Sequence, residues 1–141
     1  MLASDLFISA ATWKWIEVHA ATSGAPVYRY RFDDAPPMKE GVPSKGAYHS
    51  AEIEFVFGNL KYKDLPWRDS DHKLSELMST YWTNFAKTGN PNGQGLPLWP
   101  TYNHETGFQV MHLHAESKAI AADDRDRYET LTKLGPPKSG T

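Results

Sequence analysis

His49 is the residue whose setting best suits chemistry. It closes a loop rich in Gly, Pro, Ser and Lys (39–45), within the string Gly46-Ala47-Tyr48-His49-Ser50-Ala51-Glu52-Ile53-Glu54-Phe55-Val56-Phe57-Gly58. A compact apolar run of Ile53, Phe55, Val56 and Phe57 follows it, and Gly58 ends the run. An imidazole titrates near neutral pH. One that is backed by buried aromatics yet open to solvent can hold one ring nitrogen oriented and use the other to move a proton, which is the task of a general base. A lone histidine in a loop is also a common surface residue, and these residues alone leave both readings open. A different chemistry, metal binding, is suggested by His112 and His114, two apart and so on one face of an extended segment, with His104 nearby in sequence. Zinc takes three or four ligands, and a pair of strand histidines is more often solvent-facing, so no metal site is expected.

Other catalytic parts are missing from these residues. With no cysteine there is no thiol nucleophile, no thiolate metal site and no disulfide. No Gly-x-Ser-x-Gly elbow occurs. The nearest string, Gly41-Val42-Pro43-Ser44-Lys45-Gly46, has the wrong spacing and lacks the strand-to-helix setting that lifts a serine Oγ into the open. No Gly-Gly stretch offers an oxyanion hole.

The elements that must position His49 follow from periodicity. Residues 4–22 read as a helix, capped by Ser4 or Asp5, with Leu6, Ile8, Ala11, Trp15 and Val18 on one face and Trp13 and Ile16 widening it. Apolar over so much of its circumference, it is expected to be buried on more than one side. Residues 27–32 alternate as a strand, with Tyr28, Tyr30 and Phe32 on one face and Val27, Arg29 and Arg31 on the other. Asp33 to Pro37 ends it and opens the loop to His49. A short helix is expected over 50–58 and loop over 59–67. From Asp69 the clearest helix begins, with Leu74, Leu77, Met78, Tyr81, Trp82 and Phe85 as one apolar stripe. Gly89 stops it, and Asn90-Pro91-Asn92-Gly93 forms a turn. Phe108 to His114 reads as a second strand, and 123–134 as a last helix with Tyr128, Leu131 and Leu134 inward. No internal repeat and no second domain is evident.

The 141 residues are 40% hydrophobic and 23% charged with a net charge of −2. That is globular material, with neither the basic footprint of a nucleic-acid binder nor a polybasic membrane patch. No apolar run approaches the ~20 residues that span a bilayer. The first residues lack the basic and apolar regions of a signal peptide.

The string from Gly46 to Gly58 resembles the histidine region of the type-B carboxylesterase family, the α/β-hydrolase serine esterases that include cholinesterases and para-nitrobenzyl esterases. Gly46, His49, Glu52, Ile53, Phe55, Val56, Phe57 and Gly58 fit the family pattern Gly-x-x-His-x-x-Glu-(Ile/Leu)-x-(Phe/Tyr)-Val-Phe-Gly. The resemblance continues through Tyr81-Trp82-Thr83-Asn84-Phe85-Ala86-Lys87-Thr88-Gly89-Asn90-Pro91-Asn92-Gly93 and Leu98-Trp99-Pro100-Thr101-Tyr102. It also runs back to Ser4-Asp5-Leu6-Phe7 and Val27-Tyr28-Arg29-Tyr30. It covers nearly the whole chain in order, but only the C-terminal portion of a much longer family.

The resemblance implies an α/β chain: the C-terminal part of an α/β-hydrolase fold, with late sheet strands and covering helices over 1–134 and a disordered tail at 135–141. It implies carboxylic ester hydrolysis through a Ser-Glu/Asp-His triad in which His49 is the histidine and the nucleophile and acid lie outside this chain. Tyr48 and Ala51, flanking His49, are expected at the substrate pocket, and Glu52 as a structural support of the loop. No cofactor is expected. The expected partners are a small ester and the N-terminal remainder of the hydrolase, in the same or a separate chain, with no nucleic acid and no membrane. Cytoplasmic and secreted locations both remain open. The alternative is a truncated, non-catalytic structural or interaction module that keeps His49 only by descent.

Overall fold

The computed structural model describes residues 8–134. The expected cap at Ser4 or Asp5, the inward Leu6, the side chain of Leu134 and the tail at 135–141 lie outside the described residues. The chain forms two compact units: one from 8–27, Thr101–Gln109 and 121–134, the other from Tyr28–Pro100 and Val110–Ile120.

In the first unit, helix α1 (Ala10–Thr22) begins with a pair of alanines, the strongest helix formers. Trp13 is its only buried residue and packs on Tyr128, with ring centroids 5.9 Å apart. The expectation of burial on several sides is corrected here. Trp15 is 71% exposed and Ile8 and Val18 are 47% exposed, because no layer of the described residues covers that face. The Glu17 carboxylate accepts hydrogen bonds from the Tyr102 hydroxyl (2.6 Å) and from the Arg125 guanidinium. That guanidinium lies 3.5 Å over the Phe108 ring. The unit closes with the helix Arg125–Leu134.

The second unit holds, apart from the end residues Gln109 and Ala121, a sheet in the order β1 (Tyr30–Phe32), β2 (Gln109–Leu113), β3 (Lys118–Ala121). β1 and β2 run parallel, pairing Tyr30 with Met111, Arg31 with His112 and Phe32 with Leu113. Parallel neighbours need a long crossover, and here it carries all the helices of the unit and the histidine loop. β1 is shorter than the expected 27–32, although the Arg29 carbonyl still accepts the Met111 N–H (2.9 Å). β2 likewise excludes Phe108 and His114. Phe108 turns left-handed at φ +54, and His114 opens the tight connection to β3, where Ser117 Oγ donates to its carbonyl (2.7 Å). β3 was not expected: Lys118-Ala119-Ile120-Ala121 is too short and too weakly alternating to stand out.

Between β1 and β2 lie the four-residue helix α2 (Ile53–Val56), one helical turn at Leu60–Tyr62 within the expected loop, and α3 (Asp69–Thr88). The expected stripe of α3 faces the core except at its end: Leu74, Met78 and Tyr81 are buried beside Phe55, Leu60, Trp99, Met111 and Leu113, whereas Phe85 is 49% exposed, its ring meeting only the edge of the core at Tyr28 (6.0 Å between centroids). Trp82 and Leu77 pack at the margin of this core. Gly89 ends the helix at φ +75, its N–H bonded to the Phe85 carbonyl (2.8 Å), the left-handed stop that glycine adopts without a Cβ clash. The turn expected at Asn90-Pro91-Asn92-Gly93 falls later, where the Leu96 N–H donates to the Gly93 carbonyl (3.2 Å), and the segment before it is stitched by Asn92, whose amide brackets both the N–H (2.7 Å) and the carbonyl (2.9 Å) of Trp99. No helix among the described residues is long and apolar enough to cross a membrane.

Candidate active-site histidine and the elements that hold it

The histidine loop leaves the carboxyl end of β1, the end where open α/β sheets place their ligands. Its first residues are tied down. Asp33 donates its N–H to the Leu113 carbonyl (3.0 Å). The Asp33 carboxylate meets His112 Nδ1 at 2.5 Å and Arg31 Nε at 2.6 Å. Arg68, the residue before α3, reaches Asp34 Oδ2 (3.0 Å) and the Ala35 carbonyl (3.1 Å) with one Nη, and clasps Asp71 through Nε and Nη2. Asp71 in turn accepts the Arg68 backbone N–H (2.7 Å), closing the cap of α3.

These charges have opposed tendencies. Burial pushes the Asp34 carboxyl up, and the nearby Asp71 adds to this against the pull of Arg68. Burial also pushes Asp71 up, but the hydrogen bonds and charge of Arg68 outweigh it and hold Asp71 below the usual carboxylate range.

Beyond buried Pro36 the chain runs through an exposed stretch to Ser50. An ion pair between Lys39 and Asp64 (2.5 Å) bridges it, but both side chains are well exposed, and such pairs contribute little. The segment then tightens. Gly46 turns at φ +64, the Tyr48 N–H donates to the Gly46 carbonyl (3.0 Å) and the Ala51 N–H to the Tyr48 carbonyl (3.0 Å). Ser50, directly after His49, is left-handed at φ +69, a conformation that costs free energy in any residue with a Cβ and clusters at functional sites. His49 is therefore carried on the outer side of a backbone turn, exposed, and among the described residues its imidazole meets no hydrogen-bond partner.

The other expected site residues distribute as follows. Ala51 is 3% exposed and Tyr48 43% exposed. Both line a cleft of about 290 Å³ together with Ser50, Ile53, Glu54 and Trp67, and His49 is not part of its lining. Glu52 precedes α2 and accepts the Val56 N–H with its backbone carbonyl (3.0 Å), while among the described residues its carboxylate accepts no hydrogen bond. The Tyr30 phenol is raised first by burial and then by the negative charge of Glu52. His112 pairs with Asp33, and His114 Nδ1 accepts the Glu116 N–H (3.2 Å). Among the described residues no three His, Asp or Glu side chains gather as a metal site.

α2 is anchored from below. Phe55 is fully buried and touches Phe32 of β1 (5.2 Å between ring centroids) and Trp67 (5.6 Å, edge-on). Two serines of α3 donate to its last carbonyls: Ser75 to Phe55 (2.8 Å) and Ser79 to Val56 (2.8 Å). Sequence reasoning passed over these serines and Arg68, and placed Asp71 only within the Asp69-Ser70-Asp71 start of the helix. The one available signal was a serine pair spaced four apart on the core side of a long helix. Nothing in the sequence marks Ser50 as left-handed.

A parallel strand pair with covering helices is an α/β arrangement, and solved esterase structures identify it as part of an α/β-hydrolase fold. A para-nitrobenzyl esterase structure superposes with a TM-score of 0.65 at 33% identity, over 84% of this chain and 24% of its own. An esterase from Clostridium hathewayi, described as able to hydrolyse aliphatic aromatic polyesters, gives 0.71 at 27% identity, over 86% and 24%. The Carboxylesterase family matches residues 1–131, and the chain belongs to that family. Among its relatives are an acylcarnitine hydrolase of Rattus norvegicus, 37% identical over 85% of this chain and 22% of the relative. The cocaine esterase of Homo sapiens is 35% identical over 86% of this chain and 22% of the relative. The chain thus spans about a fifth of the length of these relatives.

Proposed function

We propose that this chain is the C-terminal portion of a serine carboxylesterase and supplies the histidine of its triad, His49. The observation that carries this reading is the position of His49: exposed at a backbone turn on the loop from the carboxyl end of β1, inside the Gly46–Gly58 string of a chain that belongs to the carboxylesterase family. The reaction is acyl transfer in two halves. His49 takes the proton of a serine hydroxyl as the oxygen attacks the ester carbonyl, then gives that proton to the departing alkoxide, leaving an acyl-serine and a free alcohol. In the second half it takes a proton from water, hydroxide attacks the acyl-serine, and the proton returns to the serine as the carboxylic acid leaves. No cofactor enters this cycle.

The nucleophilic serine, the oxyanion hole and the carboxylate that orients the imidazole come from the N-terminal remainder of the hydrolase, which is the partner of this chain. The unpartnered imidazole is ready for such a carboxylate. Tyr48 and Ala51 lie close to the base in the chain and are read as the edge of the substrate pocket, because both line a cleft next to the histidine turn. Glu52 supports the loop through its backbone as the residue that starts α2.

The test is turnover of a short-chain p-nitrophenyl ester by protein that contains this chain, beside His49→Ala. Removing the triad base should lower kcat by about 10³-fold or more with the fold intact. Equal turnover by both proteins would defeat the reading. If both are inert, the chain is a structural or interaction module of the family.

A further inference from the structure

We propose that α3 acts as a clamp on both ends of the histidine loop, and that its Ser75 and Ser79 are positioning residues for His49. The proposal rests on the triad reading of His49 given above. In a helix interior a serine or threonine hydroxyl ordinarily bonds back to the carbonyl four residues earlier. Two threonines of α3 do this: Thr80 to Glu76 (2.7 Å) and Thr88 to Asn84 (2.9 Å). Ser75 and Ser79 do not. Spaced four apart, they share one helix face and donate instead to another element, at the Phe55 and Val56 carbonyls. Ser75 is only 5% exposed, so water does not readily replace its bond.

Of the accepting carbonyls, that of Val56 is one that α2 leaves open at its C-terminus, and that of Phe55 is shared with the Gly58 N–H (3.2 Å). A helix of four residues is too short to hold itself, so the place of α2 depends on what receives it. His49 lies six residues before Phe55, and two short turns link it to α2 through the Tyr48 and Ser50 carbonyls. At the other end of the loop, Arg68 at the start of α3 holds Asp34 and the Ala35 carbonyl. One rigid helix therefore fixes where the loop departs and where it returns, and so where the imidazole stands. Proton transfer is sensitive to displacements on the order of 1 Å, which gives such a clamp a catalytic consequence without any contact to substrate.

The experiment is a Ser75→Ala/Ser79→Ala double variant compared with Thr80→Ala, which removes a hydroxyl from the same helix without touching α2. Two readouts are taken: amide hydrogen exchange on the chain, and kcat and KM for a p-nitrophenyl ester in the ester-hydrolysing protein that contains it. The clamp predicts that exchange at Ala51 and Ile53 quickens about tenfold in the double variant while amides in the middle of α3 change less than about twofold. It predicts kcat down by about tenfold with KM within about twofold, and neither change in Thr80→Ala. Exchange that is unchanged at the loop, or faster by the same factor throughout α3, overturns the clamp. Turnover abolished by His49→Ala yet kept by the double variant overturns the clamp alone. Turnover that survives His49→Ala overturns the triad reading, and the positioning role falls with it.

Discussion

His49 owes its presentation to the backbone around it. Gly46 and Ser50 both turn left-handed, and the bonds from Tyr48 and Ala51 close the turns between them, so the imidazole is carried outward while Ala51 is drawn into the core. Behind it, the network of Arg68, Asp34 and Asp71 contains two carboxylates of opposite tendency. Asp71 is held below its ordinary value of 3.8, so its contribution to stability is present above that pH and is lost as pH falls through the lower folded value. Asp34 is raised above 3.8, so its contribution is present at lower pH and lost as pH rises through the higher folded value. Asp71→Asn should cost about 1–2 kcal/mol in a urea titration at neutral pH, the half-exposed Arg68 being partly screened, and should flatten the acid limb. An unchanged acid limb would show that Asp71 is not its source. The Tyr81 phenol, donating to the Pro97 carbonyl (2.6 Å), is pushed up to about 12 by burial. Between the ordinary 10.0 and that value the unfolded chain ionises while the folded one does not, so stability should fall across this window, less steeply in Tyr81→Phe. At this scale the sequence marked His49 as the candidate, because its motif is local. The strained Ser50 and the Arg68–Asp34 bond, 34 residues apart, depend on tertiary placement that no local pattern records.

At the scale of elements, α3 is the organiser. Its apolar stripe was readable because a 3.6-residue period over 20 residues leaves little ambiguity, and its Gly89 stop follows from the same local rules. Short elements were less legible. β1 is three residues long and β3 four, lengths at which alternation is indistinguishable from chance, and both are held by pairing to β2. α2 is short too, yet its apolar run announced it. Phe55 joins α2 to β1 through Phe32, to the Trp67 indole, and to α3 through its carbonyl. Phe55→Ala should destabilise the fold by about 3–5 kcal/mol in denaturant unfolding, as expected for a fully buried aromatic. A loss below about 1 kcal/mol would mean that α2 is not integral to the core.

At the scale of the molecule, the chain leaves apolar surface open. Trp15 and Val18 on α1 and Ile8 just before it are exposed, and in the other unit so are Phe57 (71%) and Leu98 (70%). The expectation that α1 is buried on more than one side failed because periodicity reports what a face needs, and says nothing about whether its partner is part of the same chain. If the remainder of a carboxylesterase provides that layer, this chain alone should self-associate in sedimentation velocity, and Trp15→Glu should shift it toward monomer. A monodisperse, cooperatively melting monomer of the unmodified chain would contradict that account.

The role proposed for His49 is to activate a serine that lies outside these 141 residues. It is tested most directly by labelling ester-hydrolysing protein that contains this chain with a fluorophosphonate, then mapping the modified residue by mass spectrometry for the parent and for His49→Ala. The account predicts one modified serine outside the chain, and a labelling rate that falls by about 10³-fold in the variant. A modified serine within the chain, or a rate untouched by His49→Ala, would contradict it.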